Sequence, residues 1–167
     1  DRDGKLVSTS GIALYLEPGE SSDCMVRPTV EAPHLWTDED PYLYTLVSTV
    51  VADGRELDSF TCKTGIRTAV FDADRGFLLN GGTVKIKGMC VHHDCGLTGA
   101  VGYRESWERR LKELKDMGCN GIRCSHNPPA PVLLDLCDEL GFLVMDEAFD
   151  EWLLAKNKTD NYYSESL

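Results

Sequence analysis

The sequence predicts a two-part molecule, an all-β sandwich half followed by the first strands of a parallel α/β barrel. Three observations predict it. Residues 1–75 hold Val-, Thr- and Tyr-rich runs broken by turn chemistry, with no convincing helical period. From about Phe77 the pattern becomes strand, helix, strand, helix, strand. Each of those later strands is followed at once by reactive polar residues.

In the first half, strands are expected at Gly11–Leu16, Cys24–Val30, Tyr42–Val51 and Glu56–Phe71. Turn residues separate them at Glu17-Pro18-Gly19-Glu20, Asp38-Glu39-Asp40-Pro41 and Asp53-Gly54. Tyr44, Leu46 and Val50 fall on one face of the third strand and Thr45 and Thr49 on the other. Short antiparallel strands at this spacing suggest a sandwich over residues 1–75.

In the second half, residues 76–167, Phe77-Leu78-Leu79 and Val84–Met89 flank the hairpin signal Asn80-Gly81-Gly82, and the second of these runs is expected to be the first barrel strand. Trp107, Leu111, Leu114 and Met117 then recur at helical spacing, with Glu105/Arg109 and Glu108/Lys112 as i,i+4 pairs and Gly118 as the stop. Trp107 lies on that apolar stripe and is expected in the core. Gly121–Cys124 reads as a strand, and Asn127-Pro128-Pro129 as the start of a helix whose face carries Pro129, Leu133, Leu136 and Leu140, ended by Gly141. The continuous apolar run Phe142–Met145 is what a parallel strand buried on both faces requires. His92-His93-Asp94, Ser125-His126 and Asp146-Glu147 follow the three strands, where parallel α/β folds place their chemistry. No GxGxxG or GxxxxGK[ST] follows any strand, which disfavours a dinucleotide or NTP site and favours a barrel.

Composition excludes other classes. The 167 residues carry 17 Lys+Arg against 28 Asp+Glu, a net charge of −11. The densest basic cluster, Arg109, Arg110, Lys112 and Lys115, is interleaved with Glu108, Glu113 and Asp116, so no nucleic-acid surface is expected. No apolar run approaches the roughly 20 residues of a membrane helix. Seven cysteines form no CxxC, an odd number cannot all pair within the chain, and free buried thiols are expected. Asp1 stands without an initiator Met or a basic-then-apolar leader, so a processing or expression boundary is expected there, and the N-terminus leaves cytoplasm and periplasm both open.

The run Asn120-Gly121-Ile122-Arg123-Cys124-Ser125-His126-Asn127-Pro128, followed by Leu140–Glu147, resembles the first signature of glycoside hydrolase family 2, the β-galactosidase, β-glucuronidase and β-mannosidase group. Leu35-Trp36, Pro41–Tyr44, Gly65-Ile66-Arg67, Asn80-Gly81 and Lys87-Gly88 are similar to the family's passage from an immunoglobulin-like domain into a TIM barrel. Asn127 stands where the family commonly has Tyr. The resemblance implies a partial immunoglobulin-like sandwich followed by about three of the eight strands of a (β/α)₈ barrel, a fold that takes roughly 250 residues when whole. It further implies a retaining β-glycosidase, most like a β-galactosidase, whose acid/base and nucleophile Glu lie beyond this chain, so that the chain alone is expected to be inactive. A carbohydrate substrate follows, with a homo-oligomer as in many members.

Residue by residue, the resemblance implies that His92 and His126 contact the sugar and that Arg123 supports the catalytic carboxylates, for which a planar guanidinium is suited. Asp146 and Glu147, neighbours on a strand, should point to opposite faces; one is expected to brace Arg123 and the other to meet solvent. Neither is expected to form the catalytic pair. Asp94 is expected at most to orient an imidazole. No cofactor is expected; Glu151 lies where some β-galactosidases place a magnesium ligand, but a solvated loop Glu is the stronger reading. Trp152 is either a sugar platform or a packing residue. A zinc site from His92, His93, Cys95 and His126 lacks any known ligand spacing. The alternative function is a non-catalytic carbohydrate-binding or interaction module carried by the β-rich half.

Overall fold

Asp53 and Gly54 both take positive φ, 52° and 72°, and so form a tight reversal between β1 (Tyr44–Ala52) and β2 (Arg55–Thr64). The computed structural model, which describes residues 1–148, pairs these strands antiparallel from Tyr44↔Thr64 to Ala52↔Arg55, with a bulge at Val50/Val51. A three-stranded meander follows, β3 (Ala69–Asp72), β4 (Gly76–Leu79) and β5 (Gly82–Thr83). Asp72 Oδ1 accepts the Asp74 and Arg75 N–H groups at its first turn, at 3.0 and 2.8 Å. Asn80 and Gly81 make the second with φ of 51° and 82°. This meander spans the residues around the expected domain boundary at 75/76.

The first half departs from expectation in three places. Residues 1–43 form no strand, so the runs Gly11–Leu16 and Cys24–Val30 stay unpaired. A strand needs a neighbour's N–H and C=O groups and an apolar surface to cover, and Ile12, Tyr15 and Met25 remain exposed. Their β propensity is real but has nothing to act upon. The turn between them does form, with Glu20 N–H donating to Glu17 O at 3.0 Å. The run Glu56–Phe71 is broken between Thr64 and Ala69, because residues 65–68 are used as a joint: Ile66 O accepts Trp36 N–H, and Asn80 Oδ1 accepts Thr68 N–H, both at 2.9 Å. Among the described residues the expected sandwich is represented by the single hairpin β1–β2.

The second half is a parallel sheet in the order β6 (Gly88–His92), β7 (Gly121–Ser125), β8 (Leu143–Met145), with α1 (Arg104–Asp116) and α2 (Pro131–Leu140) in the two crossovers. The first barrel strand therefore begins at Gly88, four residues later than expected, since Val84 is still tied to Phe77 of β4 through its N–H. Three strands are described and no closed barrel. One face of the sheet supplies Val91, Ile122 and Cys124, which pack with Trp107 and Leu111 of α1, Leu133, Leu136 and Cys137 of α2, and Phe142. No helix of the described residues is long and apolar enough to cross a membrane.

Both helices run close to their expected spans, with local corrections. Met117 is exposed at 71%, because α1 ends at Asp116 and Gly118, at φ 85°, turns the chain away before a fourth stripe position can face the sheet. Lys112 pairs with Glu108 at 2.6 Å, but Arg109 pairs with Glu113 at 2.8 Å rather than with Glu105. The second helix starts at Pro131, not at Asn127-Pro128-Pro129, because Ala130 precedes a proline and is held extended at ψ 140°. Gly141 ends it at φ 77°, and a Cβ there would meet Asp38 O at 2.3 Å, so glycine is required for conformation and space alike.

That contact belongs to a joint at the amino ends of the parallel strands. Trp36 is 2% exposed, donates from Nε1 to Asp138 O at 2.9 Å, and its carbonyl accepts Asn80 Nδ2. Lys115 Nζ donates to Asp38 O and Gly141 O, at 2.7 and 2.8 Å. Asn120, 7% exposed, accepts Lys87 N–H through Oδ1 at 2.7 Å and donates through Nδ2 to Asp38 Oδ2 and Lys85 O.

Two predictions follow from this packing. Asn120→Ala removes the partner of the Lys87 N–H and of the Lys85 carbonyl in a partly buried joint, so urea denaturation should show a loss of about 1–3 kcal/mol; a loss below about 0.5 kcal/mol would disprove the role assigned to Asn120. Burial pushes the Cys124 thiol up to about 11 and the Cys137 thiol up to about 12. An unfolded thiol ionises near 8.5, so each group holds more protons folded than unfolded, and stability should fall as pH rises from about 9 towards those values. Under native conditions at neutral pH iodoacetamide should leave both unlabelled, and rapid labelling of either would refute its burial.

Candidate functional site

The carboxyl ends of the three parallel strands hold the polar residues singled out in the sequence. Pairing places Cys90 beside Arg123 and Arg123 beside Met145, with His92 beside Ser125 one step further. Paired residues of parallel strands point to the same face, and residues two apart repeat it. Cys90, His92, Arg123 and Glu147 therefore share one face, opposite to the helix-packed face of Val91, Ile122 and Cys124. The sequence-level alternation of apolar and polar residues becomes a division between core and site.

Arg123 organises this face through all three guanidinium nitrogens. Nε donates to Glu147 Oε1 in a short ion pair. Nη2 lies 3.1 Å from His126 Nδ1, and Nη1 lies 3.7 Å from Cys90 Sγ. Glu147 Oε2 in turn lies 3.2 Å from the same His126 Nδ1. That nitrogen can accept from Arg123 or, when it carries the proton, donate to Glu147, but it cannot do both at once. With Arg123 as donor the proton sits on Nε2, and His126 keeps a hydrogen-bond donor for a ligand.

The hydrogen bond from Arg123 holds the Glu147 carboxyl below the usual carboxylate range, with desolvation opposing it. The same bond to Glu147 raises the Arg123 guanidinium above its already high value. The pair is thus fixed in its charged form. Glu147 is the brace expected from one of the two neighbouring carboxylates, whereas Asp146 is exposed. His92 is also exposed, and its ring stands edge-on to that of His126 with centroids 5.6 Å apart.

Other sequence-level candidates are placed elsewhere. Asp94 does not orient an imidazole: its Oδ1 accepts Gly96 N–H at 2.6 Å in a tight local turn. His93 turns to the Trp107 ring at 5.4 Å, and Cys95 packs at the edge of the core, so the four residues considered for zinc do not converge. Among the described residues no three His, Cys, Asp or Glu side chains gather as a metal site. Glu151 and Trp152 lie outside the described residues. Cys90 was missed in the sequence, although its position two residues before His92 on one strand already assigned it to the same face.

Comparison with known proteins agrees with this architecture. The family model described as "Glycosyl hydrolases family 2, TIM barrel domain" matches residues 71–165, and that described as "Glycosyl hydrolases family 2" matches residues 1–67. The chain belongs to glycosyl hydrolase family 2, and comprises part of the family's N-terminal sandwich region and the start of its barrel domain. It is 49% identical over 164 residues to a β-galactosidase, BoGH2A, of Bacteroides ovatus, covering 98% of this chain and 19% of that protein. It is 41% identical over 151 residues to a putative β-glucuronidase of Formosa agariphila, covering 89% of this chain and 14% of that one. A family 2 member from Bacteroides cellulosilyticus superposes with a TM-score of 0.76 at 42% identity, over 85% of this chain and 18% of its own. A β-glucuronidase of Parabacteroides merdae superposes at 0.66 with 31% identity, over 75% of this chain and 15% of its own. The chain thus spans less than a fifth of the length of these relatives.

The depressed Glu147 titration makes a direct test. A carboxyl lowered on folding contributes stability that is present above its ordinary value near 4.3 and is lost as pH falls through the folded value. Carbon-detected NMR should place Glu147 below that ordinary value, and Arg123→Met should raise it. A Glu147 that titrates identically in both proteins would remove the ion pair from the account.

Proposed function

We propose that this chain is a segment of a retaining β-glycosidase acting on terminal β-galactosides, and that it supplies sugar-contacting and supporting residues while the acid/base and nucleophile Glu come from the rest of the full-length protein. In this reading residues 1–75 belong to an immunoglobulin-like sandwich and residues 76–167 to the catalytic barrel. The observation that carries it is the Arg123–His126–Glu147 cluster at the carboxyl ends of parallel barrel strands.

A retaining mechanism needs two carboxyl groups about 5 Å apart, one protonated to release the leaving oxygen and one ionised to attack the anomeric carbon. Glu147 suits neither role: Arg123 holds it as an anion, which excludes the acid, and its two oxygens are engaged by Arg123 and His126, which leaves none free to attack. A general acid requires the opposite, a carboxyl raised towards neutral pH. What the cluster can do is recognition. Arg123 spaces and charges a polar floor, His126 offers an N–H to a sugar hydroxyl, and exposed His92 stands beside it as a second donor or acceptor. The preference for galactose rests on the 49% identity to a protein named a β-galactosidase. Relatives named β-glucuronidases make specificity the point to test.

The test is hydrolysis of chromogenic β-galactoside, β-glucuronide and β-mannoside by the longest form that the gene encodes, with the 167-residue chain beside it. Galactoside turnover by the long form alone is the expected result, and His126→Ala should then lower kcat/KM by about ten- to a hundred-fold. Turnover by the short chain would sink the division of labour, and preferential cleavage of the glucuronide would overturn the galactoside assignment. No turnover of any of the three sugars by the long form would reject the enzyme reading in favour of a binding module.

A further inference from the structure

Cys90 stands on the polar face of the sheet with a thiol that takes no part in the sugar contacts proposed above. It is exposed and free, and its Sγ lies 3.7 Å from Arg123 Nη1. A second observation points at the same sulfur. Ser125 pairs with His92 in the register of β6 and β7, so its side chain belongs to the Cys90 and Arg123 face. Ser125 is 4% exposed, and apart from the Cys90 sulfur its buried Oγ has no hydrogen-bond partner among the described residues. A thiol is a weak donor and a weak acceptor, and folded proteins seldom leave a buried hydroxyl so poorly met.

The two neighbours act on the thiol in one direction. The hydrogen bond from Ser125, and after it that from Arg123, hold the Cys90 thiol below its usual value, with desolvation and the Glu147 carboxylate opposing them. Thiolate is the form that attacks electrophiles, and an exposed thiolate beside a cation is the setting in which cysteine oxidation is selective. Cys124 and Cys137 present the contrast, since both are buried in the apolar core and pushed up to about 11 and about 12. Cys124 faces the helices and Cys95 packs at the edge of that core, so neither supplies a resolving thiol beside Cys90. An oxygen added to Cys90 Sγ gives the Ser125 hydroxyl and the Arg123 guanidinium the strong acceptor that the sulfur does not.

We propose that Cys90 is a modification site for hydrogen peroxide, oxidised to a sulfenic acid that the Ser125 hydroxyl and Arg123 then hold. In the step the thiolate sulfur attacks one oxygen of the peroxide. The S–O bond forms as the O–O bond breaks, sulfur loses two electrons, and the second oxygen leaves as hydroxide, which takes up a proton to become water. Thiol reductants reverse the change: one thiol displaces the sulfenic oxygen as water and forms a mixed disulfide, and a second attacks that disulfide and restores Cys90. Neither direction needs a glycoside or the catalytic carboxylates, so the proposal stands or falls apart from the function proposed above.

The experiment treats the longest form that the gene encodes with a small excess of hydrogen peroxide at neutral pH and then removes the peroxide. The protein is unfolded in dimedone, which marks sulfenic acids, and iodoacetamide, which marks thiols, so that access of the labels does not limit the result. Peptide mass spectrometry should find dimedone accumulating on Cys90 at least about three-fold faster than on any other cysteine, and dithiothreitol given before unfolding should remove it. Cys90 recovered as a thiol after peroxide, or oxidised no faster than Cys24, overturns the site. Ser125→Ala should slow the oxidation about five-fold, and Ser125→Thr, which keeps the hydroxyl, should hold the rate to within about two-fold. Equal rates in all three proteins, or equal slowing in both variants, would overturn the part given to the hydroxyl. Should either variant fail to fold, the comparison among cysteines of the unaltered protein still decides the site.

Discussion

The buried amide of Asn120 is the interaction on which the rest of the parallel unit depends. Its side chain closes the entry to β6 through Lys87 and Lys85 and reaches Asp38 in the preceding loop. Its own backbone donates to Lys87 O and accepts from Leu143 N–H. One residue therefore sets the relative starting points of all three strands. Because a parallel ladder carries its register unchanged along its length, that setting also determines what lies beside what at the other end. Arg123 sits three residues further on, beside Cys90 and Met145, as a consequence.

Strand alternation divides the sheet into two chemistries. The face towards the helices is closed by Trp107, Leu111, Leu133, Leu136 and Cys137 with no charged member. The other face holds an ion pair and two imidazoles. Arg123 suits that position because its three nitrogens reach three different groups, whereas a lysine would present one point of charge. Glu147 answers the guanidinium and is thereby withdrawn from proton transfer. The cluster is a polar floor at the carboxyl ends of the parallel strands, tied together by the guanidinium.

Local chemistry made much of this legible in advance. Asp53-Gly54 and Asn80-Gly81 reverse the chain because Asp, Asn and Gly accept positive φ, and both turns are where the sequence put them. The stripe Trp107, Leu111, Leu114 announced α1, and Gly141 announced the end of α2. What misled was propensity without a partner: Gly11–Leu16 and Cys24–Val30 have strand composition, but no neighbouring backbone meets them among the described residues. Met117 and the start of α2 were misplaced by a turn, because a helix boundary depends on single residues such as Gly118 and the Ala130-Pro131 pair rather than on the apolar period.

Unaided, the sequence determined the order of elements in the parallel unit, the family, and the three strand ends that carry His92, Arg123, His126 and Glu147, because these follow from periodicity, turn chemistry and motif. It could not choose between Asp146 and Glu147, foresee Cys90 beside the guanidinium, or turn His93 away from His92 towards Trp107. Those outcomes depend on register between strands distant in sequence, and register is set where Asn120, Trp36 and Asp38 meet. Only the tertiary structure, by bringing those three together, decided which side chains share a face.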